Sequence, residues 1–333
     1  MVFQTAGDIP AGLVFAFKRR GCDAKLLTEV EREQEGVMSN GDGVSVFDDG
    51  HGAEEFWRQI GTKSESLLTQ QLCVFLDVLG FSAYVQDKEG DEDAFLSIVK
   101  SLEYARESLT LGEELKLLKV KTFSDNIVIA VKYTDGLEYF GSFLEFISGY
   151  QLAMIEHGFF CRGGLSLGDL VVDDNFIYGN ALVEAYKLES EKALNPMVLI
   201  SGAVIERARN SGHFYAVSSI MDKSGNGYFV NLDGLYYLNY LRRTFIHFES
   251  RQGGTGSCLD HRLLEKHKYH IRLNLANHKP GSGVYKKYAF LARYHNAFLS
   301  RCIDYDGYSE SLKIHIPAEI LFVDKDRFCK GWD

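Results

Sequence analysis

The segment LCVFLDVLGFSAYV, residues Leu72–Val85, ends an apolar run on a single carboxylate, Asp77, and then breaks at Gly80. A short apolar run of this kind predicts a buried strand. A charge at the end of such a strand costs free energy unless another group compensates it. Asp77 is therefore the first candidate for a residue that binds a ligand.

The composition predicts a globular chain with a sizeable core. The chain has 333 residues, of which 46% are hydrophobic, so we expect one large domain or two of ordinary size. The formal net charge is −10, and an acidic chain is poorly suited to follow a nucleic-acid backbone. We expect no nucleic-acid partner. A small anionic substrate remains compatible, because a bound metal can supply local positive charge.

The cysteines indicate a reducing compartment, because they are scattered and form no C-x-x-C pair. The basic pair Arg19 and Arg20 follows a short apolar patch, which is the wrong order for a signal peptide. No run reaches the roughly 18 apolar residues of a membrane span. We therefore expect a cytoplasmic protein with no membrane contact. The cysteines are Cys22, Cys73, Cys161, Cys258, Cys302 and Cys329.

Hydrophobic periodicity and turn residues predict alternating strands and helices between Leu72 and Ser201. The predicted order is β-α-β-β-α-β followed by α-β, which is the ferredoxin-like split βαβ arrangement. We therefore expect an α+β fold, with an antiparallel sheet and helices packed on one face. The predicted strands are Leu72–Val78, Leu115–Phe123, Ile127–Tyr133, Phe159–Val172 with a Gly-Gly break, and Pro196–Ser201. The predicted helices are Ser82–Leu109 with an acidic interruption at DKEGDED, Phe143–Gly158 and Asn180–Glu191.

Three regions are predicted along the chain. Residues 1–68 form an N-terminal extension, residues 69–220 hold the α+β domain, and residues 221–333 form a mainly helical, aromatic-rich C-terminal annex. The histidines of the annex fit no standard spacing of metal ligands, so we expect them in the core or on solvated helix faces. The segments expected to be helical are Asn231–Leu241, Leu259–His278 and Val284–Cys302. The histidines are His261, His267, His270, His278 and His295.

A second carboxylate, Asp125, lies in the predicted turn between the second and third strands. If the first strand lies beside this hairpin, Asp77 and Asp125 reach one edge of the sheet. Close carboxylates repel each other unless a cation lies between them, and hard divalent cations bind oxygen ligands. A metal site that also uses the Val78 carbonyl is one interpretation. An ordinary turn residue is the alternative for Asp125.

Two further features could bind phosphate. The residues Leu79, Gly80, Phe81 and Ser82 join a strand to a helix through a glycine, and such a turn can present backbone N–H groups to an anion. Arg162 begins the segment RGGLSLGD and could donate two hydrogen bonds to a phosphate. A salt bridge between Arg162 and a nearby carboxylate is the open alternative.

Four segments together resemble the signatures of the class III nucleotidyl cyclases. They follow the family's order and spacing and cover roughly residues 72–201. The resemblance implies a cyclase fold and a head-to-tail homodimer, with active sites at the interface between the two chains. The segments are FLDVLGFS, KTFSDNIVIA, RGGLSLGDLV and IYGNALVEAYKLES.

The resemblance also implies roles for individual residues. Asp77 and Asp125 match the two metal-binding aspartates of a site with two Mg²⁺ or Mn²⁺ ions, and Arg162 matches an arginine that contacts the triphosphate. Residues 79–82 match the phosphate-binding turn. Lys187 stands where the family has an arginine that stabilises the transition state.

Departures from the family pattern bear on the substrate. Phe176 stands where adenylate cyclases have an aspartate that reads adenine, and Val183 replaces an asparagine. An aromatic side chain in the base pocket favours a smaller base and offers a stacking surface. With its segments LDVLGFS and YGNALVEAY and its long aromatic C-terminal annex, the chain resembles the pyrimidine cyclases of bacterial Pycsar anti-phage systems, which make cyclic UMP or cyclic CMP to activate a separate effector.

Lys121 matches the position that reads the base from the partner chain. A lysine donor suits a carbonyl oxygen of uracil better than the amine of cytosine. The resemblance therefore predicts conversion of UTP to 3′,5′-cyclic UMP and pyrophosphate. The alternatives are a cytidylate cyclase, an adenylate cyclase and an inactive nucleotide-binding module, and a solvated strand lysine is the alternative for Lys121.

Overall fold

The computed structural model describes residues 68–89, 91–93, 96, 99–100, 103–104, 118–133, 137–173, 176–210, 227–232, 234–249 and 255–316. All of them belong to the part of the chain that follows Leu67. Apart from residue 68, the predicted N-terminal extension lies outside the described residues. The predicted division at residue 220 stays a prediction.

Most of the strands in the described part of the chain belong to one large sheet. The strands are β1 (Thr69–Val78), β2 (Lys119–Phe123), β3 (Asn126–Lys132), β4 (Cys161–Val172), β5 (Ile177–Tyr178), β6 (Val198–Ile200), β7 (Phe229–Leu232), β8 (Leu235–Leu238), β9 (Phe245–Glu249) and β10 (Thr255–Leu259). The sheet has the order β2-β3-β1-β4-β6-β8-β7, with β5 paired to β4, and β9 and β10 form a separate pair. β1 is antiparallel to both β3 and β4, whereas β4 and β6 are parallel.

The helices connect these strands and cover the sheet. They are α1 (Phe81–Asp87), α2 (Leu137–Glu156), α3 (Asn180–Lys187), α4 (Gly202–Asn210), α5 (His261–Asn277) and α6 (Gly283–Ser300). A π-helical turn, Leu188–Lys192, extends α3. The described residues between 92 and 104 are also helical, whereas residues 88, 89 and 91 are not, so the break falls within the predicted acidic interruption of the first helix. The rest of that predicted helix, after residue 104, lies outside the described residues.

The central strand β1 is buried on both faces. Leu72, Val74 and Leu76 belong to one core with the apolar side chains of α2. Cys73 and Phe75 point to the other face, where the ring of Phe75 contacts a tyrosine of α3 at 5.4 Å between centroids. Each fully buried aliphatic or aromatic side chain contributes about 1.5–3 kcal/mol to folding. Burial on both faces explains why this stretch reads as a continuous apolar run.

The α+β prediction is confirmed, and the sheet order β2-β3-β1-β4 is that of the predicted ferredoxin-like arrangement. The helices, however, do not all lie on one face. The long helix α2 covers one side, while α3 packs on the opposite side against β4 and β1. The α2 helix also begins at Leu137, six residues before the predicted start at Phe143.

The predicted Gly-Gly break in the fourth strand is wrong, because β4 continues through Gly163 and Gly164. A Cβ on Gly163 would lie 2.5 Å from the carbonyl oxygen of Phe75, and one on Gly164 would lie 2.3 Å from that of Ala185. The two glycines therefore permit close approach of β1 on one side and of α3 on the other. They serve packing and do not interrupt the strand.

The C-terminal region differs from its prediction in one segment. Asn231–Leu241 was expected to be helical, but it contains the hairpin of β7 and β8, which extends the main sheet. Gly234 has a φ of 80°, and its N–H donates to the side chain of Asn231 at 2.9 Å. This Asx-type turn chemistry outweighs the local apolar spacing.

Two helices of the C-terminal region form where the sequence predicts them. Side-chain caps fix both starts, because Asp260 accepts from the N–H of Leu263 and Ser282 accepts from the N–H of Tyr285. Both helices contribute to a second core, which also contains residues of β6 to β8. The described part of the annex therefore combines two long helices with four strands.

The annex buries a polar chain between its two helices. Nε2 of His295 lies 3.0 Å from the carbonyl oxygen of Leu312, so this nitrogen carries the proton. Nδ1 of His295 then accepts from Nδ1 of His267 at 2.9 Å, and Nε2 of His267 accepts from the hydroxyl of Tyr240 at 2.9 Å. The imidazole rings of His267 and His295 are stacked. These histidines are core residues, as expected.

The remaining features concern cysteines and membrane spans. Cys73, Cys161, Cys258 and Cys302 are free thiols, which agrees with the predicted absence of disulfides for these four residues. Among the described residues, no helix combines the length and the apolar character needed to cross a bilayer.

Candidate active site

The sheet brings Asp77 and Asp125 to the same edge. Asp77 lies near the end of β1, directly opposite Asn126 of β3, and Asp125 is the residue before Asn126 in the β2–β3 turn. The N–H of Val78 donates to the carbonyl oxygen of Asp125 at 3.0 Å. Ser124, with a φ of 58°, supplies the left-handed residue of this turn. One backbone hydrogen bond therefore joins the two segments that carry the carboxylates.

The electrostatics of Asp77 follow from this placement. Burial is the largest effect on its carboxyl group and raises the pKa; Arg162 lowers the pKa, and repulsion from Asp125 raises it again. The net result is a pKa above the ordinary value for an aspartate. A bound cation would offset both the cost of burying a charged carboxylate and the repulsion between Asp77 and Asp125, because a nearby cation favours the charged form of a carboxylate.

The donor set fits a hard divalent cation whose remaining ligands come from a substrate. In the described part of the chain, no group of three or more histidine, cysteine, aspartate or glutamate side chains is arranged to hold a metal. The protein offers two carboxylates, Asp77 and Asp125. Mg²⁺ is typically bound by one or two carboxylates together with phosphate oxygens. A ligand role for the Val78 carbonyl stays a prediction.

Arg162 lies opposite Asp77 on the neighbouring strand β4. Its Nη2 is 3.4 Å from Oδ2 of Asp77 and also forms an ion pair with Glu189. Its Nη1 donates to the carbonyl oxygen of Ala193 at 3.4 Å, whereas its buried Nε has no hydrogen-bond partner among the described residues. Arg162 therefore makes the salt bridge that the sequence left as an alternative to phosphate binding.

Glu189 is a site residue that the sequence reasoning missed. It lies in the π-helical turn after α3, and it is buried. Burial is the main cause that raises its pKa to about 7; the charge of Arg162 lowers the pKa, and that of Asp77 raises it. Glu189 follows Ala181 and Ala185 at a spacing of four residues, which is the only hint in the sequence that it shares their side of the helix. The burial of that side is known from the structure alone.

Lys287 is the second missed residue, and it comes from helix α6 of the C-terminal region. It is half-buried. Burial is the main cause that lowers its pKa, Arg162 lowers it further, and the carboxylates of Asp77 and Glu189 oppose this change. The neighbouring Tyr288 packs against Phe160, the residue directly before β4, so this turn of α6 lies beside the start of the strand that carries Arg162. Nothing in the local sequence distinguishes Lys287 from the exposed neighbouring Lys286.

The turn after β1 leads directly from Asp77 into α1. Gly80 has a φ of 78°, and a Cβ built there would meet no atom within 4 Å. The glycine is thus required by the backbone conformation and leaves open space beside the turn. The N–H of Leu79 donates to the carbonyl oxygen of Phe160 at 2.8 Å, which fixes the turn to the beginning of β4. Phe81 and Ser82 begin the helix.

The three remaining predicted residues lie on β2, at the end of α3 and before β5. Lys121 is half-buried on β2, opposite Val128. Lys187 ends α3 and is exposed. Phe176, of which 45% is exposed, precedes β5 beyond the far end of β4.

Phe176 is distant from the carboxylates within one chain. The register pairs Arg162 with Asp77 at one end of β4 and Leu170 with Thr69 near the other. Eight strand positions correspond to about 26 Å. A single chain therefore does not bring Phe176 to Asp77.

Comparisons with known proteins give only weak likenesses. No protein-family model matches the chain, and no curated protein matches it. Among solved structures, the adenylyl cyclase CyaB from P. aeruginosa is 15% identical, with 43% of this chain and 82% of that chain covered and a TM-score of 0.34.

Two guanylyl cyclases show a similar degree of likeness. The monomeric guanylyl cyclase domain of the RhoGC fusion protein from the aquatic fungus Blastocladiella emersonii is 16% identical, with 51% of this chain and 95% of that chain covered and a TM-score of 0.35. The guanylyl cyclase Cya2 is 11% identical, with 57% and 90% covered and a TM-score of 0.32. At this level of likeness, the function has to be inferred from the residues of the site.

Proposed function

We propose that the chain is a nucleotidyl cyclase, which converts a nucleoside triphosphate into a 3′,5′-cyclic nucleotide and pyrophosphate. The single observation that supports this most is the hydrogen bond between Val78 and Asp125, which holds two carboxylate-bearing segments together beside Arg162. Two close carboxylates at the start of a glycine turn suit a metal–triphosphate complex.

The residues divide the chemistry among them. Asp77, Asp125 and the Val78 carbonyl would hold Mg²⁺ or Mn²⁺, which when bound lowers the pKa of the ribose 3′-hydroxyl and neutralises charge on the pyrophosphate. Arg162 and the turn at residues 79–82 bind and orient the triphosphate for in-line attack on the α-phosphate. No covalent enzyme intermediate is required.

The active site is composed of two chains. Phe176 is too far from Asp77 to act on the same nucleotide within one protomer. For Lys187, which is exposed at the end of α3, the role in the second chain rests on the resemblance. We assign Lys121, Phe176 and Lys187 to the partner's half of each site in a head-to-tail homodimer. Lys187 would there offset negative charge that develops at the α-phosphate.

The preferred substrate is a pyrimidine nucleotide, and UTP before CTP. The exposed ring of Phe176 offers a stacking surface and occupies space that a purine would need. The ammonium group of Lys121 is a donor, which matches the carbonyl oxygens of uracil. The product would serve as a second messenger for a separate cyclic-nucleotide-binding effector, as in the anti-phage systems that the sequence resembles.

The decisive experiment is incubation of the purified chain with each of the four nucleoside triphosphates and Mn²⁺, followed by chromatographic identification of the products. Cyclic UMP as the main product is expected. A dominant cyclic CMP product would exclude the preference for UTP, and cyclic AMP or cyclic GMP would exclude pyrimidine specificity. Stabilisation by nucleotide without any cyclic product would indicate an inactive binding module.

A further inference from the structure

The helix α6 packs directly behind the candidate site. Tyr288, next to Lys287, contacts the ring of Phe160 at 5.6 Å between centroids. The carbonyl of Phe160 in turn holds the N–H of Leu79 at 2.8 Å. Leu79, Phe160 and Tyr288 all belong to or pack against the same apolar core. The C-terminal region therefore packs against the end of β1 and the beginning of β4, where Asp77 and Arg162 lie.

Among the described residues at this edge, Lys287 is engaged less closely than Arg162. Arg162 is bound by two carboxylates, Asp77 and Glu189, and by the carbonyl of Ala193. Lys287 interacts electrostatically with Asp77 and Glu189, but it forms no ion pair with a carboxylate in the described part of the chain. A half-buried lysine without a direct partner has given up solvation, so a ligand that restores its partners would bind favourably.

We infer that Lys287 binds the triphosphate of the substrate as a second cation beside Arg162, so that the C-terminal region completes the active site in addition to packing against it. The inference rests on the proposed function for the identity of the ligand. Glu189 holds the guanidinium of Arg162 in position through their ion pair and offsets part of its charge. Lys287 then adds positive charge for the phosphate oxygens, and its three donors on a flexible stem suit a phosphate chain.

A purely structural role makes different predictions. If Lys287 only compensates the carboxylates of Asp77 and Glu189, its removal lowers the stability of the fold without changing the affinity for a polyphosphate. If it binds phosphate, its removal weakens that affinity even where stability is unchanged. The neighbouring Lys286 is exposed on the same helix and provides a matched control for both effects.

The first test measures binding of Mn²⁺-tripolyphosphate, which carries no base or sugar, by calorimetry on the full chain. Lys287→Met keeps the length of the side chain and removes the charge, and we expect about tenfold weaker binding. Lys287→Arg should recover most of the affinity, and Lys286→Met should bind as the wild type does. Equal affinities of Lys287→Met and the wild type would overturn the inference.

A second test needs no variant and applies even if Lys287→Met does not fold. Limited amine acylation of the wild-type chain, followed by mass spectrometry, compares Lys287 with Lys286 in the presence and absence of Mn²⁺-tripolyphosphate. Slower acylation of Lys287 alone is expected. Unchanged acylation of Lys287 would overturn the inference.

The outcomes separate the inference from the proposed function. Suppose that the chain makes a cyclic nucleotide, but Lys287→Met leaves both the tripolyphosphate affinity and the KM for the nucleotide unchanged. The proposed function then stands, and the role of Lys287 is refuted. Suppose instead that tripolyphosphate binding depends on Lys287, but the chain makes no cyclic product from any of the four nucleotides. The role of Lys287 then stands, and the proposed function is refuted.

Discussion

Arg162 and Glu189 form a buried ion pair that ties strand β4 to the π-helical turn after α3. The same guanidinium group reaches Asp77 on β1. The ion pair therefore connects the edge of the sheet that carries Asp77 and Asp125 to the turn after α3. Helix α3 packs on the side of the sheet opposite α2. The first prediction concerns its contribution to stability.

Glu189→Ala should lower the free energy of unfolding by about 2 kcal/mol, because it leaves a largely buried guanidinium with one carboxylate instead of two. Urea denaturation measures the effect. Glu191→Ala, an exposed position in the same π-helical turn, should change stability by less than about 0.5 kcal/mol. Equal effects of the two substitutions would mean that the ion pair contributes nothing.

Asp77→Asn and Asp125→Asn should each abolish cyclic nucleotide formation, because each removes a carboxylate that the cation needs. Stability should change by less than about 1 kcal/mol for Asp77→Asn, since the amide keeps the shape and polarity of the side chain and Arg162 keeps its ion pair with Glu189. Product assays and urea denaturation check the two parts. Asp304→Asn, at an exposed site in the C-terminal region, is the control. A near-normal rate in either site variant would refute the metal assignment.

Mixing two inactive variants tests the composite site. Asp77→Asn removes the metal half and Lys187→Ala removes the half assigned to the partner chain, so a heterodimer retains one intact site. Random exchange of subunits should then restore about a quarter of the wild-type activity, because half of the dimers are mixed and each mixed dimer has one of two sites. The activity of the mixture is compared with that of each variant alone. No recovery after demonstrated exchange would place both residues in the same half.

Gly164→Ala should destabilise the fold by about 2–3 kcal/mol, because its Cβ would lie 2.3 Å from the carbonyl oxygen of Ala185 and displace α3 from the sheet. Gly202→Ala is the matched control, since a Cβ there meets no atom within 4 Å. Thermal unfolding of both variants measures the difference. Similar melting temperatures would show that the approach of α3 to β4 is looser than described.

The buried histidine pair predicts a dependence of stability on pH. Burial is the main cause that lowers the pKa of His295 from 6.5 to about 4, and His267 shifts in the same direction. The unfolded chain therefore binds protons below pH 6.5 that the folded chain refuses, so stability is complete above this pH and falls as the pH decreases towards 4. His295 alone should remove about 2 kcal/mol between pH 7 and pH 5.

Urea denaturation at pH 7 and at pH 5 checks this prediction. Comparison with variants removes the contribution that other titrating groups make to the loss of stability. The loss between pH 7 and pH 5 should be smaller in His295→Gln than in the wild type, and unchanged in His315→Gln, which alters an exposed histidine. If His295→Gln loses as much stability as the wild type, the buried imidazole does not control the acid response.

Much of the fold could be predicted because its signals are local. Burial on both faces gives β1 its continuous apolar run, and turn residues mark the hairpin that carries Asp125. Asp260 and Ser282 cap the two long helices where the sequence places their starts. The hairpin of β7 and β8 was missed, because the Asx turn at Gly234 outweighed an apolar spacing that resembled a helix.

The sequence by itself determined the strand and helix order and placed Asp77 and Asp125 at strand ends, since periodicity and turn chemistry act over a few neighbouring residues. Only the tertiary structure decided which charges meet there. Arg162 and Asp77 are 85 positions apart, and Glu189 and Lys287 arrive from two helices of different regions. Local pattern tells which face of an element a residue occupies, but packing of distant elements decides what that face contacts.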